Sequence, residues 1–185
     1  MELKDKKGLT LQQFLEDYKA KNYNRPYLTA DCLIISQKEN DLYILLVKRK
    51  GHPFIQQWAI PGGFAQENET LDQTAQRELK EETDLESSVT LLGNYSQPQR
   101  DPRGWVVSAA YYGIVDKDEV RPQAGDDAAQ TSWFKIKIQD EEITLTNEEV
   151  TIIFDKDHQY ITTEQLAFDH HKMIIDLLKK LDYLK

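Results

Sequence analysis

The sequence predicts an α+β fold, a mixed β-sheet core flanked by α-helices. Three observations carry that expectation. Leu, Ile and Val gather in short runs separated by turn residues, as strands require. Other stretches space their apolar residues at i, i+3, i+4 and i+7, as amphipathic helices do. The two kinds of segment follow one another along 185 residues without an internal repeat, a linker-like shift in composition or a low-complexity block, which suits a single domain spanning 1–185.

The first element is a short helix within an N-terminal extension, 1–25. Leu11, Phe14, Leu15 and Tyr18 make one apolar face. Thr10 with Gln13 reads as a capping box, and Leu9 with Phe14 as a hydrophobic staple. The helix ends before Asn24-Arg25-Pro26, because the residue preceding proline is pushed out of the helical region.

Runs at Leu28–Ile35 and Leu42–Val47, joined by the turn-like Lys38-Glu39-Asn40-Asp41, predict a β-hairpin. A polar loop with Gly51 and Pro53 leads to Trp58-Ala59-Ile60-Pro61-Gly62-Gly63. A helix from about Thr70 to Thr83 comes next, then strands near Val89–Tyr95, Trp105–Val115, Thr131–Ile136 and Val150–Phe154. Residues 137–161 read as an inserted hairpin, placed to cover a site or to support a dimer. Thr162 and Gln165 offer a further capping box for a closing helix over 162–185, with Leu166, Met173, Ile174, Leu177, Leu178 and Leu181 at helical spacing.

Composition narrows the function. Lys plus Arg number 23 against 32 Asp plus Glu, a formal charge of -9, which disfavours nonspecific attraction to nucleic acid or an anionic membrane. A phosphate-bearing partner then needs local cations. The single cysteine, Cys32, forms no intrachain disulfide and no cysteine-rich zinc site. The polar start Met1–Lys7 lacks a secretory h-region, and no apolar run approaches the roughly 20 residues that span a bilayer, so a cytoplasmic location is expected.

The most informative stretch runs from Gly63 to Leu85. On the helix, Glu78, Glu81 and Glu82 stand at i, i+3 and i+4, which gathers three carboxylates on one side. Their repulsion is relieved by a hard, oxygen-seeking dication, Mg²⁺ or Mn²⁺. Ala75 and Leu79 form a neighbouring stripe that packs on the sheet. Gly62-Gly63 admits positive φ and close backbone approach, with a Gly63 carbonyl available to a metal. Arg77 is placed to pair with Glu69 and orient the carboxylates. A lone Glu-x-x-Glu-Glu is ordinarily solvated surface. The double glycine, the isolated Glu and the Arg at these spacings set this one apart.

Gly63, Glu69, Arg77, Glu78, Leu79, Glu81, Glu82 and Leu85 resemble the Nudix box: Gly, five residues, Glu, seven residues, Arg-Glu, an aliphatic, any residue, Glu-Glu, any residue, Gly, aliphatic. The chain departs from it at Asp84, where the family has glycine. That position follows the carboxylates at the helix end, where Asp tolerates the left-handed conformation. The resemblance implies a Nudix fold with a loop-helix-loop box. It also implies a metal-dependent pyrophosphohydrolase in which Glu78 and Glu82 are the main metal ligands, Glu81 a shared one and the Gly63 carbonyl an additional one. The catalytic set is then Glu81, Glu78, Arg77 and Glu69, with the base left open among the carboxylates. Asp127 of the Gly125-Asp126-Asp127 loop joins it as a carboxylate recruited from outside the box, although Gly-Asp-Asp is also ordinary turn composition.

Beyond the box, Trp58–Phe64, Arg100-Asp101-Pro102-Arg103-Gly104 followed by Ser108–Tyr112, and Leu166-Ala167-Phe168-Asp169-His170 are similar to the ADP-ribose pyrophosphatase branch. That branch also holds transcriptional regulators of NAD metabolism. ADP-ribose is the substrate this implies, with Gly62, Gly63, Arg100, Arg103 and Trp58 at its site. Arginine suits bidentate contact with phosphate. Trp58 and Trp105 are candidates to stack on adenine, though aromatics beside apolar strands are more often core or rim. His170 and His171 read as structural, and Cys32 as core.

Three functions compete: an ADP-ribose pyrophosphatase, a Nudix hydrolase for a dinucleotide, nucleotide sugar or oxidised nucleoside triphosphate, and a non-catalytic ADP-ribose sensor. Regulators of the branch carry a winged helix after the Leu-Ala-Phe-Asp-His segment, for which a chain ending at Lys185 leaves no room. The intact acidic set also favours catalysis. A homodimer is expected from the branch.

Overall fold

The computed structural model describes residues 3–19, 21, 23–125 and 128–184. Three helices, α1 (Leu11–Lys19), α2 (Leu71–Thr83) and α3 (His170–Lys180), accompany nine strands among these residues. The strands are β1 (Tyr27–Lys38), β2 (Asp41–Arg49), β3 (Trp58–Ala59), β4 (Gly62–Phe64), β5 (Thr90–Tyr95), β6 (Val106–Ile114), β7 (Ala128–Gln139), β8 (Glu142–Thr146) and β9 (Thr151–Asp155). They form one sheet in the order β5-β6-β1-β2-β7-β8-β9, with β3 beside β2 and β4 beside β1. β1 and β6 run parallel and the other pairs antiparallel, so the sheet is mixed.

The centre of β1 is buried on both faces, as a central strand covered by helices must be. Period-two alternation divides it. Ala30, Cys32 and Ile34 join Ala75 and Leu79 of α2 in one cluster, while Leu33 and Ile35 join Met173, Ile174, Leu177 and Leu178 of α3 in another. The two helices therefore cover opposite faces, and the core lies in two layers. Cys32 is fully buried, its thiol donating to the Ala75 carbonyl at 3.2 Å.

At α1 the capping box is reciprocal: the Gln13 N–H donates to Thr10 Oγ1 at 3.3 Å and the Thr10 N–H to Gln13 Oε1 at 3.0 Å. Its apolar face is nonetheless exposed, including Leu11 and Phe14. Helix α2 has the same kind of box between Thr70 and Gln73. Its C-cap is Asp84 in the left-handed conformation, φ 58°, the position where the Nudix pattern has glycine.

The closing helix begins at His170 and not at Thr162. Tertiary pairing takes the intervening residues. The Ile153 N–H donates to Thr162 Oγ1 at 2.9 Å, Leu166 bridges Trp58 as a strand neighbour, and the Ala167 N–H donates to the Trp58 carbonyl at 2.8 Å. The 137–161 segment holds the end of β7, then β8 and β9. Its inward residues Ile143, Leu145, Ile152 and Phe154 belong to the cluster beneath α3.

Candidate active site

Strand β4 lays Gly62 opposite Asp31 and Gly63 opposite Ala30, and α2 packs alongside. A Cβ on Gly62 would collide with the Ala30 carbonyl and stand 2.6 Å from Asp31 Oδ1; one on Gly63 would lie 2.5 Å from the Glu78 carboxylate. Positive φ, expected for this pair, is absent from both. Gly62 must be glycine because the β1 backbone approaches too closely for any side chain, whereas at Gly63 the close neighbour is the movable Glu78 carboxylate. The Gly62 N–H donates to Glu82 Oε2 at 2.9 Å, which fixes the turn to the helix.

Arg77 is the hub of the acidic face. It meets Glu69 through Nε at 2.7 Å and Nη2 at 3.0 Å, the Phe64 carbonyl at 2.9 Å, Glu78 at 2.6 Å and Glu81 at 2.9 Å. The guanidinium, with help from the Gln66 N–H and the Thr74 hydroxyl, holds the Glu69 carboxyl down at about 2. Glu78 is shifted the other way, above the ordinary carboxylate range, because it is buried.

Glu82 is pushed up to about 8, first by burial and then by the neighbouring charges of Glu78 and Asp31. A half-buried carboxylate crowded by like charges is what a bound dication relieves, and an all-oxygen donor set suits Mg²⁺ or Mn²⁺. Among the described residues no group of three or more His, Cys, Asp or Glu side chains is arranged to hold a metal ion, and Arg77 engages Glu78 and Glu81. The donor chemistry of Glu78, Glu82 and Glu81 with the Gly63 backbone nonetheless fits a hard dication, which they would hold once turned from the guanidinium.

Beside this face lies a cleft of about 650 Å³, lined by Gly63, Arg77, Glu78, Glu81 and Glu82 and by Arg49 and Arg103. A smaller recess continues inward past Gly62 to Asp31, Arg100, Phe168 and His170. Of the expected ligand-binding residues, Gly62, Gly63 and Arg103 line this space. Arg100 also borders the recess, but its guanidinium is turned to Asp169, with Nη2–Oδ1 at 2.6 Å and Nε–Oδ2 at 3.1 Å, and both side chains are buried. In this structure its fork is engaged in a buried ion pair; Arg103, at the cleft surface, is likewise engaged by Asp101, with Nε–Oδ1 at 3.0 Å and Nη2–Oδ2 at 2.7 Å.

Trp58 requires correction. It is 4% exposed and packs edge-on against Phe134 at 4.9 Å, so its ring is core and presents no face to a base. Trp105 is exposed. Asp127 lies outside the described residues. The loop leading to it caps α2, with the Gln123 N–H donating to the Thr83 carbonyl and the Gly125 N–H to the Glu82 carbonyl.

Two residues of this region were not singled out by sequence reasoning, Asp31 and Arg49, while Ser108 and Phe168 entered only within the segments that resemble the ADP-ribose pyrophosphatase branch. Asp31 interrupts an apolar strand, which is a usable signal; Arg49 carries none. Asp31 is buried, accepts a hydrogen bond from the Ser108 hydroxyl and is pushed up to about 6, chiefly by burial. His170 Nδ1 accepts from the Ile60 N–H at 2.9 Å, which places the ring proton on Nε2, 3.7 Å from Asp31 Oδ1. Burial, then the nearby Arg100 and Arg49, lowers His170 to about 3, so it stays neutral.

The fold and this acidic helix are those of a known family. The NUDIX domain family model matches residues 26–153, and the chain belongs to that family as a Nudix hydrolase. It is 37% identical over 158 residues to an ADP-ribose pyrophosphatase of Methanocaldococcus jannaschii, covering 85% of this chain and 76% of the relative. It is 30% identical over 182 residues to the ADPR responsive transcriptional repressor NtrR of Acinetobacter baylyi, covering 92% of this chain and 60% of that one. The crystal structure of the NUDIX domain of Shewanella oneidensis NrtR complexed with ADP ribose is similar at a TM-score of 0.72 and 26% identity, over 94% of this chain and 99% of that domain.

Proposed function

We propose that the chain is a divalent-metal-dependent pyrophosphohydrolase that cleaves ADP-ribose to AMP and ribose 5-phosphate. The observation that carries the reading is the half-buried Glu82 carboxylate, tied to the Gly62 N–H and crowded by Glu78, in a cleft that Arg49 and Arg103 also line. Similarity to an ADP-ribose pyrophosphatase and to a domain bound to ADP ribose supports this choice of substrate.

When bound at Glu78, Glu82 and Glu81, Mg²⁺ or Mn²⁺ supplies charge neutralisation at the diphosphate and an acidified water. The chain's own residues do the rest. Glu69 and Arg77 hold the box carboxylates in register. Gly62 and Gly63 let the substrate's phosphates approach the helix. A carboxylate of the box, or Asp127, takes the proton as water adds to one phosphorus and the bond to the bridging oxygen breaks. Arg103, which lines the same cleft, is the residue we assign to hold the departing phosphate. The protein works as a cytoplasmic homodimer without nucleic acid or membrane partners; no helix among the described residues is long and apolar enough to cross a membrane.

The test is hydrolysis of ADP-ribose with Mg²⁺, read by a phosphatase that acts only on terminal monophosphates, with wild type beside Glu82→Gln. Metal-dependent release that the variant loses supports the reading. Cleavage of other nucleoside diphosphates, but not this one, transfers the assignment to another Nudix substrate. Binding without cleavage makes the protein a sensor, the reading that the repressor relative favours. Light scattering that returns a monomer mass removes the dimer.

A further inference from the structure

The sheet ends in two strands, β5 and β9, and the chain treats them differently. An end strand carries unpaired backbone N–H and C=O groups, which folds ordinarily cover or guard with charge. At β9 the chain closes its own edge. The Ile153 N–H donates to Thr162 Oγ1 at 2.9 Å, the Asp155 N–H to the Gln159 carbonyl at 2.9 Å and the Ile161 N–H to the Ile153 carbonyl at 2.8 Å. Asp155 ends that strand, and Lys156 and Asp157 follow it.

Neither device is present at β5. Among the described residues its backbone pairs with β6 alone, and no residue of the strand is buried. From Ser87 to Gln99 no residue is charged, in a chain of which 30% is. Leu91 stands 47% exposed on the strand. A bulge at Leu92 interrupts the pairing with β6, and Leu92 packs on the cluster beneath α3, which leaves the outer edge without charge or cover.

A groove of about 780 Å³ flanks the entry to β5, with Ser87 and Ser88 on one side and Gln73 and Gln76 of α2 on the other. Such hydroxyls and amides bond a main chain without adding charge. The charged groups of the lining are already paired, Arg77 with Glu69 and Lys80 with Glu86. A strand added to β5 has this groove as its continuation.

Charge selects which strand. Two copies of this chain, each of net charge -9, repel one another over most of their surfaces. Along β5 they approach with no like charges opposed, and antiparallel pairing of a strand with itself obeys the two-fold symmetry of most protein dimers. We propose that β5 is the dimer edge: it pairs antiparallel with β5 of a second copy, about an axis near Leu91, and joins two nine-stranded sheets into one. This rests on the homodimer reading and gives it a surface. The pairing fills the open hydrogen bonds of the strand, buries Leu91 against its equivalent and carries the second copy's chain past Ser88 into the groove.

The test is the mass of the full chain by light scattering over a series of concentrations. Wild type is compared with Leu91→Lys, Leu91→Glu and Leu11→Lys, the last on the exposed face of α1. Wild type and Leu11→Lys are expected to be dimers, whereas each Leu91 variant opposes like charges across the axis and dissociates at least about tenfold more readily. An equimolar mixture of Leu91→Lys with Leu91→Glu restores the dimer, because opposite charges then meet; damage to the fold alone would not be repaired this way. If either variant fails to fold, hydrogen exchange in wild type carries the test, with the amides of 90–95 gaining protection as chain concentration rises. A dimer that persists in both Leu91 variants, or exchange at 90–95 that ignores concentration, overturns the edge pairing and leaves the homodimer on another face. Loss of the dimer in Leu11→Lys alone also overturns it and moves the contact to α1. A wild-type monomer overturns both the surface and the homodimer.

Discussion

The Gly62 N–H donates to the Glu82 carboxylate across 2.9 Å, so one hydrogen bond joins strand β4 to helix α2 at the point where the acidic cleft narrows. Glu82 is half-buried there beside Glu78 and Asp31, and its raised pKa has a thermodynamic counterpart. A carboxyl whose folded pKa lies above its unfolded value stabilises the fold below the unfolded value, and that stabilisation disappears as pH rises through the folded one. Without metal, wild type therefore loses stability between about pH 4.5 and 8, and Glu82→Gln loses less of it, keeping only the smaller loss due to Asp31 and Glu78. Thermal unfolding in chelator at pH 5 and pH 8 measures the difference. Added Mn²⁺ is expected to raise the wild-type Tm and leave the variant's in place. Turnover in Glu82→Gln is expected to fall by about 100-fold or more, since even outer partners of metal ligands cost about 10–100-fold.

The two glycines of β4 are predicted to fail differently. A methyl at Gly62 meets the Ala30 backbone, which cannot move aside, so Gly62→Ala costs about 1–3 kcal/mol as overpacking does. A methyl at Gly63 meets the Glu78 carboxylate, which can swing. Gly63→Ala is expected to keep most of its stability and lose metal affinity and turnover. Urea titration beside metal-dependent kinetics separates the two.

Arg100 and Asp169 form a buried pair, and removing one partner leaves the other charge buried alone. Arg100→Met is expected to cost about 3–5 kcal/mol, and Arg100→Met with Asp169→Leu to recover much of it. The KM for ADP-ribose in the folded double variant stays near wild type, because Arg100 contributes its fork to Asp169. A large rise in KM at unchanged stability would return Arg100 to the substrate.

His170 and Asp31 pull stability in opposite directions with pH. His170 is a base lowered to about 3, so its contribution is present above about pH 6.5 and is lost as pH falls toward 3. Asp31, raised to about 6, loses its contribution as pH rises through that value. His170→Gln, which keeps an acceptor for the Ile60 N–H, is expected to gain stability relative to wild type as pH falls from 6.5 to 4, because it sheds the His170 loss and keeps the opposing Asp31 contribution. Denaturation midpoints across that range test it, and parallel curves would overturn it.

Much of this was legible in the chain. The capping box at Thr10, the β1–β2 hairpin and the acidic stripe on α2 depend on spacings of three or four residues, which sequence displays directly. Asp84 shows the same locality, since a helix end asks for a left-handed residue and Asp supplies one. The second capping pattern read from the sequence, Thr162 with Gln165, lost to strand-like pairing of Leu166 with Trp58. Local preference there is worth about 1 kcal/mol and yields to tertiary contacts.

The sequence by itself determined which helix carries the carboxylates, which glycines adjoin them and the family to which they belong, because those features repeat at helical or turn spacing. Only the tertiary structure decided how the arginines divide their work. Arg100 and Arg103 share one loop, yet one is buried on Asp169 and the other faces the cleft beside Arg49, from a distant strand. A guanidinium goes to whichever oxygen or ring the packed chain brings within reach. That is set by contacts between residues far apart in sequence, which no local pattern records.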